Sequence, residues 1–163
     1  MNDEFYFLYY ILNNLFHLER LLVQPSQVTP TTVAFYAYRS SSIEESEATP
    51  NHILNSDIVK TNAGNGYHPS TGVCIVPESG IYVFSWSFRN DFIHAHSTQL
   101  MVNHEEVGLI HLRLDVQGSI TGTSIAVIHV NKGDDVFVRI AAGSGIIFSD
   151  VSGKSSFSGW KLN

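Results

Sequence analysis

The chain has 163 residues, a formal net charge of −6 at pH 7, 44% hydrophobic residues and only 15% charged residues. This length suits one domain with a short appendage. Nucleic acids and anionic membranes bind concentrated basic patches, so an acidic chain without a cluster of Lys and Arg excludes both as partners. The low charged fraction indicates either an extra buried surface, such as a subunit interface, or a β-rich core covered by Ser, Thr and Asn.

Residues 1–24 form the first predicted element, a short helix. Its aliphatic side chains recur at three- and four-residue spacing, which is the a/d pattern of a heptad seam, at Leu8, Ile11, Leu15, Leu18 and Leu22. Two heptads are short for a coiled coil, so self-association through this seam requires an oligomeric domain further along the chain.

The same segment has a second interpretation, as an atypical signal peptide. It opens with the polar and acidic residues 2–4 instead of positive charge, and no small-residue cleavage site precedes Pro25. Its polar residues are too dense for a transmembrane helix, so membrane insertion is not expected. Both interpretations stay open, and Pro25 and Pro30 make residues 25–32 a stiff linker.

The body of the chain, residues 33–163, predicts β-strands, because short β-branched and aromatic runs alternate with Gly, Asn, Asp and Ser. The lone Cys74 lies in an apolar run and is predicted to be buried without a disulfide partner. Residues 41–66, which include three glutamates and Pro50, are predicted to be a solvated excursion. The expected strands, spaced as in an all-β sandwich or barrel, lie at 33–38, 72–76, 81–88, 99–102, 107–112, 123–130, 135–140 and 157–162.

Four spaced motifs follow one another in this body. In chain order they are Asn62 with Tyr67 five residues on, Gly80-x-Tyr82-x-Phe84, the Gly-Asp-x-Val turn within 132–136, and the closing strand 156–162. Together they resemble the globular-head family of complement C1q. The resemblance implies an all-β, ten-stranded jelly-roll sandwich, here with a short N-terminal helix. It also implies homotrimers and a secreted, extracellular location.

The chain departs from the usual pattern of that family at four packing positions. The family usually has Phe where this chain has Ser56, Cys74 and Trp160, and Phe or Tyr where it has Trp86. These departures are expected to leave the fold intact.

The antiparallel topology implied by the resemblance assigns each loop to one end of the sandwich by parity. The turns near 77–80, 104–106 and 131–134 are expected at the base, with both termini. The loops 90–96, 113–119 and 143–154, with part of 41–66, are expected at the apex. Recognition on a rigid scaffold usually lies in such loops, so ligand contacts are predicted there, at Asn90, Asp91, His94, His96, Arg113 and Gln117.

Two sets of residues in the apex loops are candidate metal ligands. His94 and His96 would share a face if they lay on a strand and would bind a metal with a third ligand; alternatively they are solvated loop residues. Asp115 is the predicted ligand for the calcium that related heads hold near the apex, with Asp91 and Asp150 behind it. The alternative is that these are ordinary turn carboxylates.

The sequence contains no Gly-x-Ser-x-Gly elbow, no complete Gly-x-x-x-x-Gly-Lys-Ser/Thr phosphate-binding loop and no His-Glu-x-x-His motif, so no enzymatic activity is predicted. The resemblance implies an innate-immune pattern-recognition protein, a lectin-like binder of microbial polysaccharides or other glycans. The alternative is a cytokine-like or structural trimer that binds a protein receptor. No collagen-type Gly-x-y repeat is present, so the heptad segment is the candidate stalk.

Overall fold

The structure is a computed structural model that describes residues 6–12, 14–15, 32–91 and 94–162, with the side chain of Asp91 not described. The chain divides into two compact units, Met1–Pro30 and Thr31–Asn163. In the first unit the described residues are helical and solvent-exposed, which agrees with the predicted helix over its first half. The described residues include no helix that is long and apolar enough to span a membrane.

The predicted heptad seam is only partly visible. Leu8, Ile11 and Leu15 are all exposed on this helix, while Leu18 and Leu22 lie outside the described residues. Residues 25–31 of the predicted linker also lie outside them, so the linker and its boundaries stay predictions.

The second unit contains eleven strands among its described residues. They are β1 Ala34–Tyr38, β2 Ile58–Ala63, β3 Tyr67–His68, β4 Val73–Ile75, β5 Gly80–Asp91, β6 Ala95–Val102, β7 Glu105–Arg113, β8 Ser119–Val130, β9 Asp135–Gly143, β10 Ile147–Phe148 and β11 Ser156–Lys161. The predicted strands all occur, with β5, β6 and β8 several residues longer than expected.

These strands form two antiparallel sheets. Sheet A has the order β10-β5-β11-β1-β2, with β8 paired to β5, and sheet B has the order β3-β4-β9-β6-β7. Both sheets combine strands from distant parts of the chain, as in a jelly roll. The predicted all-β jelly-roll class is therefore confirmed.

The core lies between the sheets because side chains alternate along each strand. On β5 the predicted alternation is confirmed, since Phe84, Trp86 and Phe88 are all buried on one face, together with Tyr82. Sheet B contributes Val136, Val138 and Ile140 from β9, along with Leu100, Ile110 and Leu112 from its other long strands.

The prediction that residues 41–66 are a solvated excursion is wrong for the residues that anchor the segment and for β2, although the three glutamates are exposed. Ile43, Ala48 and Leu54 are buried core residues, and β2 pairs with β1. Ile43 also bridges to Ile147 at the end of the sandwich. Single apolar anchors separated by exposed glutamates show no period, which is why the sequence pattern concealed their burial.

The Asn62 and Tyr67 motif closes a tight loop. The Asn62 side chain accepts a hydrogen bond from the Tyr67 N–H at 3.1 Å and donates one to its carbonyl at 2.9 Å. The Tyr67 hydroxyl donates to the Ser56 carbonyl at 3.0 Å and accepts from the Ser56 N–H at 2.9 Å, and its ring stacks on Phe35. The motif thus ties β2 and β3 to the core and satisfies buried polar groups.

The four unusual positions have different environments. Ser56, Cys74 and Trp86 are buried, whereas Trp160 is partly exposed on the outer face of sheet A. Ser56 lines a small cavity with Leu54, Trp86 and Val138. Burial raises the pKa of the Cys74 thiol to about 12, which keeps it a protonated, unreactive core group as expected.

Candidate apex binding surface

Strand register brings the predicted apex loops to one end of the sandwich. Asp91 pairs with Ser119, Asn90 with Ile147, and His96 with Gly143, so three long-range pairings meet there. At the opposite end Gly80 pairs with Val130, and the Lys132 N–H donates to the Ser79 hydroxyl at 2.9 Å. The parity argument from the sequence is confirmed for these turns and loops.

The loop between β7 and β8 presents the most accessible polar groups of the apex. Arg113 Nε donates to Asp115 Oδ1 at 2.8 Å, and these side chains are 68% and 72% exposed. The hydrogen bond and charge of Asp115 raise the pKa of Arg113, which stays a cation. Gln117 in the same loop is also exposed. Two of the predicted contact residues, Arg113 and Gln117, and the predicted calcium ligand Asp115 therefore face solvent close together in the sequence.

Asn90 does not reach the surface. It is 0% exposed, and its Nδ2 donates to the carbonyls of His94 at 2.8 Å and Leu112 at 3.4 Å. The side chain thus ties the end of β5 to the start of β6 and to β7. This geometry gives Asn90 a positioning role in place of the predicted ligand contact, because a ligand does not reach a fully buried side chain.

His94 and His96 differ from each other and from both sequence interpretations. His96 lies on β6, is 0% exposed, and has its Nε2 3.0 Å from the Gly145 carbonyl. His94 precedes the strand and is partly buried against Gly145. The pair neither shares an open metal-binding face nor forms a solvated loop, because His96 points into the sandwich.

Two glycines fit around these imidazoles. A Cβ at Gly145, where φ is +93°, would lie 2.6 Å from the His94 ring. A Cβ at Gly143 would collide with the Ala95 carbonyl and with His96 Nδ1. The sequence signal was the Gly-Ser-Gly run at 143–145, whose role depends on a partner strand that sequence reasoning did not assign.

Asp150 is committed to an ion pair that sequence reasoning missed. Its Oδ2 lies 2.5 Å from Nη2 of the largely buried Arg89, and its Oδ1 accepts from the Ser152 N–H at 2.7 Å. Arg89 also packs over the Phe148 ring at 4.9 Å. The hydrogen bond from Arg89 lowers the pKa of Asp150, which stays ionised and holds the 149–154 loop.

The predicted calcium ligands do not converge within the described part of one chain. Asp115 is paired with Arg113, Asp150 with Arg89, and the Asp91 side chain is not described. Among the described residues no group of three or more His, Cys, Asp or Glu side chains has the arrangement of a metal site. Calcium prefers six to eight oxygens, so these residues of one chain do not fit a complete site.

The sequence matches the C1q domain family over residues 34–162. The chain belongs to this family. The match covers the whole sandwich, from β1 to the end of β11. It confirms the resemblance that the spaced motifs indicated.

Curated relatives of this C1q domain include three matches. The heavy metal-binding protein HIP of Mytilus edulis is 28% identical over 131 residues, which are 80% of this chain and 61% of that protein. Complement C1q tumor necrosis factor-related protein 3 is 31% identical in Mus musculus over 105 residues, and 32% identical in Homo sapiens over 106. Each of these two matches covers 64% of this chain and 42% of the relative.

Solved structures show the same fold as this C1q domain. The globular domain of zebrafish complement 1qA aligns with a TM-score of 0.64 at 16% identity, covering 80% of this chain and 98% of that one. Eiger TNF from S. frugiperda aligns at 0.59 with 18% identity, covering 82% and 94%. Murine APRIL also aligns at 0.59, with 12% identity, covering 80% and 99%.

Proposed function

We propose that this C1q domain is a secreted, homotrimeric recognition protein that binds microbial glycans through its apex loops and catalyses no reaction. The observation that carries the proposal is the exposed group Arg113, Asp115 and Gln117, at the end of β7 and in the loop before β8. Homologous C1q and TNF-type domains form trimers that bind ligands or receptors, and C1q-domain homologues are secreted.

The chemistry of this group suits sugar hydroxyls. A guanidinium donates several hydrogen bonds, a carboxylate accepts them, and an amide does both. The Arg113–Asp115 ion pair is exposed and contributes little stability, so a ligand that separates its partners loses little binding energy. An exposed polar loop of this kind is thus a reasonable sugar-binding surface.

Trimerisation is supported by the outer face of sheet A. Trp160 pairs with Val83, which pairs with Val127. Trp160, Val127 and the neighbouring Ile125 are exposed on either side of the buried Val83. A contiguous exposed apolar surface of this kind marks an interaction site. Three linked copies of a weak apex site gain avidity of roughly 10²- to 10⁴-fold when a polysaccharide reaches all three.

A binding screen of the purified trimer against microbial polysaccharides and simple sugars tests the proposal. We expect saturable binding that Arg113→Ala and Gln117→Ala each weaken by about tenfold, the effect of losing one charge-assisted or two neutral hydrogen bonds. Lys132→Ala, at the base turn, is the matched control and should bind as the wild type does.

A folded trimer that binds no sugar would contradict the apex proposal. Sugar binding that Lys132→Ala weakens as much as Arg113→Ala or Gln117→Ala would also contradict it. The same screen with a chelator tests calcium. Binding that a chelator removes and added calcium restores, and that Asp115→Asn lacks, would support a calcium site. The remaining oxygen ligands of that site would come from outside the described residues of one chain.

A protein receptor is the second candidate partner. Val116 and Val151 are highly exposed at the tips of two loops, the second of them held by the Arg89–Asp150 pair. Apolar tips on supported loops suit protein contacts better than sugar hydroxyls. Binding of a purified cell-surface protein that Val116→Ser and Val151→Ser both weaken, with no sugar binding, would favour this candidate.

A further inference from the structure

Two of the four lysines in the chain lie over one tyrosine ring. Lys60 Nζ lies 5.7 Å and Lys154 Nζ 5.6 Å from the centroid of Tyr38. Lys60 belongs to β2, Tyr38 ends β1, and Lys154 belongs to the 149–154 loop. The fold therefore builds a small basic and aromatic cluster from three distant segments of an acidic chain. We call Tyr36, Tyr38, Lys60 and Lys154 the lysine–tyrosine cluster.

The two ammonium groups carry charge that the described residues do not neutralise. The described ion pairs join Arg89 to Asp150, Arg113 to Asp115 and Lys161 to Glu78. Neither Lys60 nor Lys154 is paired with a described carboxylate, and both are exposed. Asp57, near Lys60 in sequence, accepts hydrogen bonds from the N–H and hydroxyl of Ser40 instead.

The cluster also presents aromatic surface. The Tyr36 ring is exposed and lies 6.3 Å from the Tyr38 ring at 49°. Tyrosine offers an apolar ring face with a polar hydroxyl at its tip, which suits a molecule with both apolar and polar edges. A sugar ring has this character, because its C–H face is apolar and its rim carries hydroxyls.

Tyr38 lies two rows nearer the apex than the apolar row assigned to trimer contacts. Tyr38 pairs with Ser156, Ser156 with Ser87, and Ser87 with Thr123, so this row of sheet A is polar. The apolar row, Trp160 with Val83 and Val127, crosses the same strands nearer the base. The row between them begins at Tyr36 on β1 and reaches the apolar Ile125 only on β8, with β11 and β5 in between.

We propose that the lysine–tyrosine cluster binds an anionic sugar residue, so that the ligands of this domain include acidic polysaccharides. The two ammonium groups make charge-assisted hydrogen bonds to a carboxylate or sulfate group, and the tyrosine rings contact the sugar ring. This inference rests on the proposed function as a glycan-binding trimer, and it names the ligand class and a second contact region.

The test measures binding of the wild-type trimer to alginate, dextran sulfate and neutral dextran, at low and moderate salt. Alginate carries carboxylates and dextran sulfate carries sulfates, so the two arms distinguish the acidic groups. We expect binding to at least one acidic polymer, weakened about tenfold in Lys60→Gln/Lys154→Gln and less sensitive to salt. The single variants Lys60→Gln and Lys154→Gln are each compared with Lys132→Gln, which removes the same single charge at the base and should bind as the wild type does. Tyr38→Phe, which keeps the ring, should retain binding, whereas Tyr38→Ser should lose it.

Four results would overturn the inference. Equal weakening by Lys132→Gln would show only a general charge effect. A change of oligomeric state in Lys60→Gln/Lys154→Gln would assign the cluster to a subunit contact. Neutral-glycan binding that depends on Arg113, with no binding to either acidic polymer, would refute the cluster and leave the proposed function standing. Failure to bind any glycan would refute the proposed function itself, and this inference with it.

Discussion

At the scale of single residues, His96 is the least expected feature of the apex. Its ring is fully enclosed, with Nε2 next to the Gly145 carbonyl and Nδ1 without a hydrogen-bond partner among the described residues. Burial lowers the pKa of His96 below its ordinary value of 6.5, opposed by the contact with Gly145. The nearby charges that act on it are His94, which lowers its pKa, and Glu45, which raises it. The neutral imidazole is therefore the form that fits.

This environment predicts a pH dependence of stability. The unfolded state binds a proton at His96 more readily than the folded state, so the contribution of His96 is complete above the unfolded pKa, near 6.5. It is lost as the pH falls below that value. We expect urea unfolding measured from pH 8 to 5 to show this loss in the wild type and a flatter profile in His96→Gln. His104→Gln, at an exposed turn, is the control, and an identical slope in all three proteins would contradict the assignment.

At the scale of elements, the two sheets contact each other through Trp86. Its indole N–H on β5 donates to the Thr98 hydroxyl on β6 at 3.1 Å. The far edge of the same ring lies against Gly108 on β7, where a Cβ would be only 2.9 Å from Trp86 Cη2. The large indole ring of Trp86 and the absence of a side chain at Gly108 are therefore complementary in shape across the core.

A double-mutant cycle tests this complementarity. Gly108→Ala should lower the free energy of unfolding by about 1–3 kcal/mol, because the added methyl overpacks the core. In a Trp86→Phe background the same change should cost clearly less, since the smaller ring leaves room. Unfolding by urea at one fixed protein concentration measures the four proteins, and additive costs within about 0.5 kcal/mol would contradict direct contact as the cause.

At the scale of the whole molecule, the distribution of exposed apolar side chains predicts which sheet lies between subunits. Ile125 and Val127 on β8 are 62% and 59% exposed, and they adjoin Val83 and Trp160 on sheet A. The low charged fraction of the sequence thus has a structural counterpart, an uncovered apolar surface. Sheet B presents Leu109, 48% exposed, as a comparable side chain on the opposite sheet.

Substitution by lysine distinguishes the two sheets. Val127→Lys should convert the proposed trimer to monomers, because burying an unpaired ammonium at the interface costs more than the contact contributes. Leu109→Lys should remain trimeric. Sedimentation equilibrium measures the state of each protein, and circular dichroism checks that both are folded. A wild-type protein that is monomeric, or a Val127→Lys variant that remains trimeric, would contradict the assignment of sheet A.

Local features of the sequence indicated an all-β sandwich or barrel, and the family resemblance implied its jelly-roll topology and the end of the sandwich that bears the candidate site. Period-two alternation placed Phe84, Trp86 and Phe88 on one face, and the Asn62 and Tyr67 motif indicated the family, because these patterns depend on neighbours in the chain. The parity of antiparallel strands then placed Arg113, Asp115 and Gln117 at the apex.

Long-range pairing decided the rest. Ile43 and Leu54 are core residues because they contact β9 and β10, which no local period records. Asn90 and His96 are enclosed because Leu112 and Gly145, which are distant in the sequence, lie against them. Lys60 and Lys154 lie over the same ring only because β1, β2 and the 149–154 loop share one end of sheet A. Burial and charge clustering depend on which distant segments meet, and that is determined by strand register and not by the order of residues along one strand.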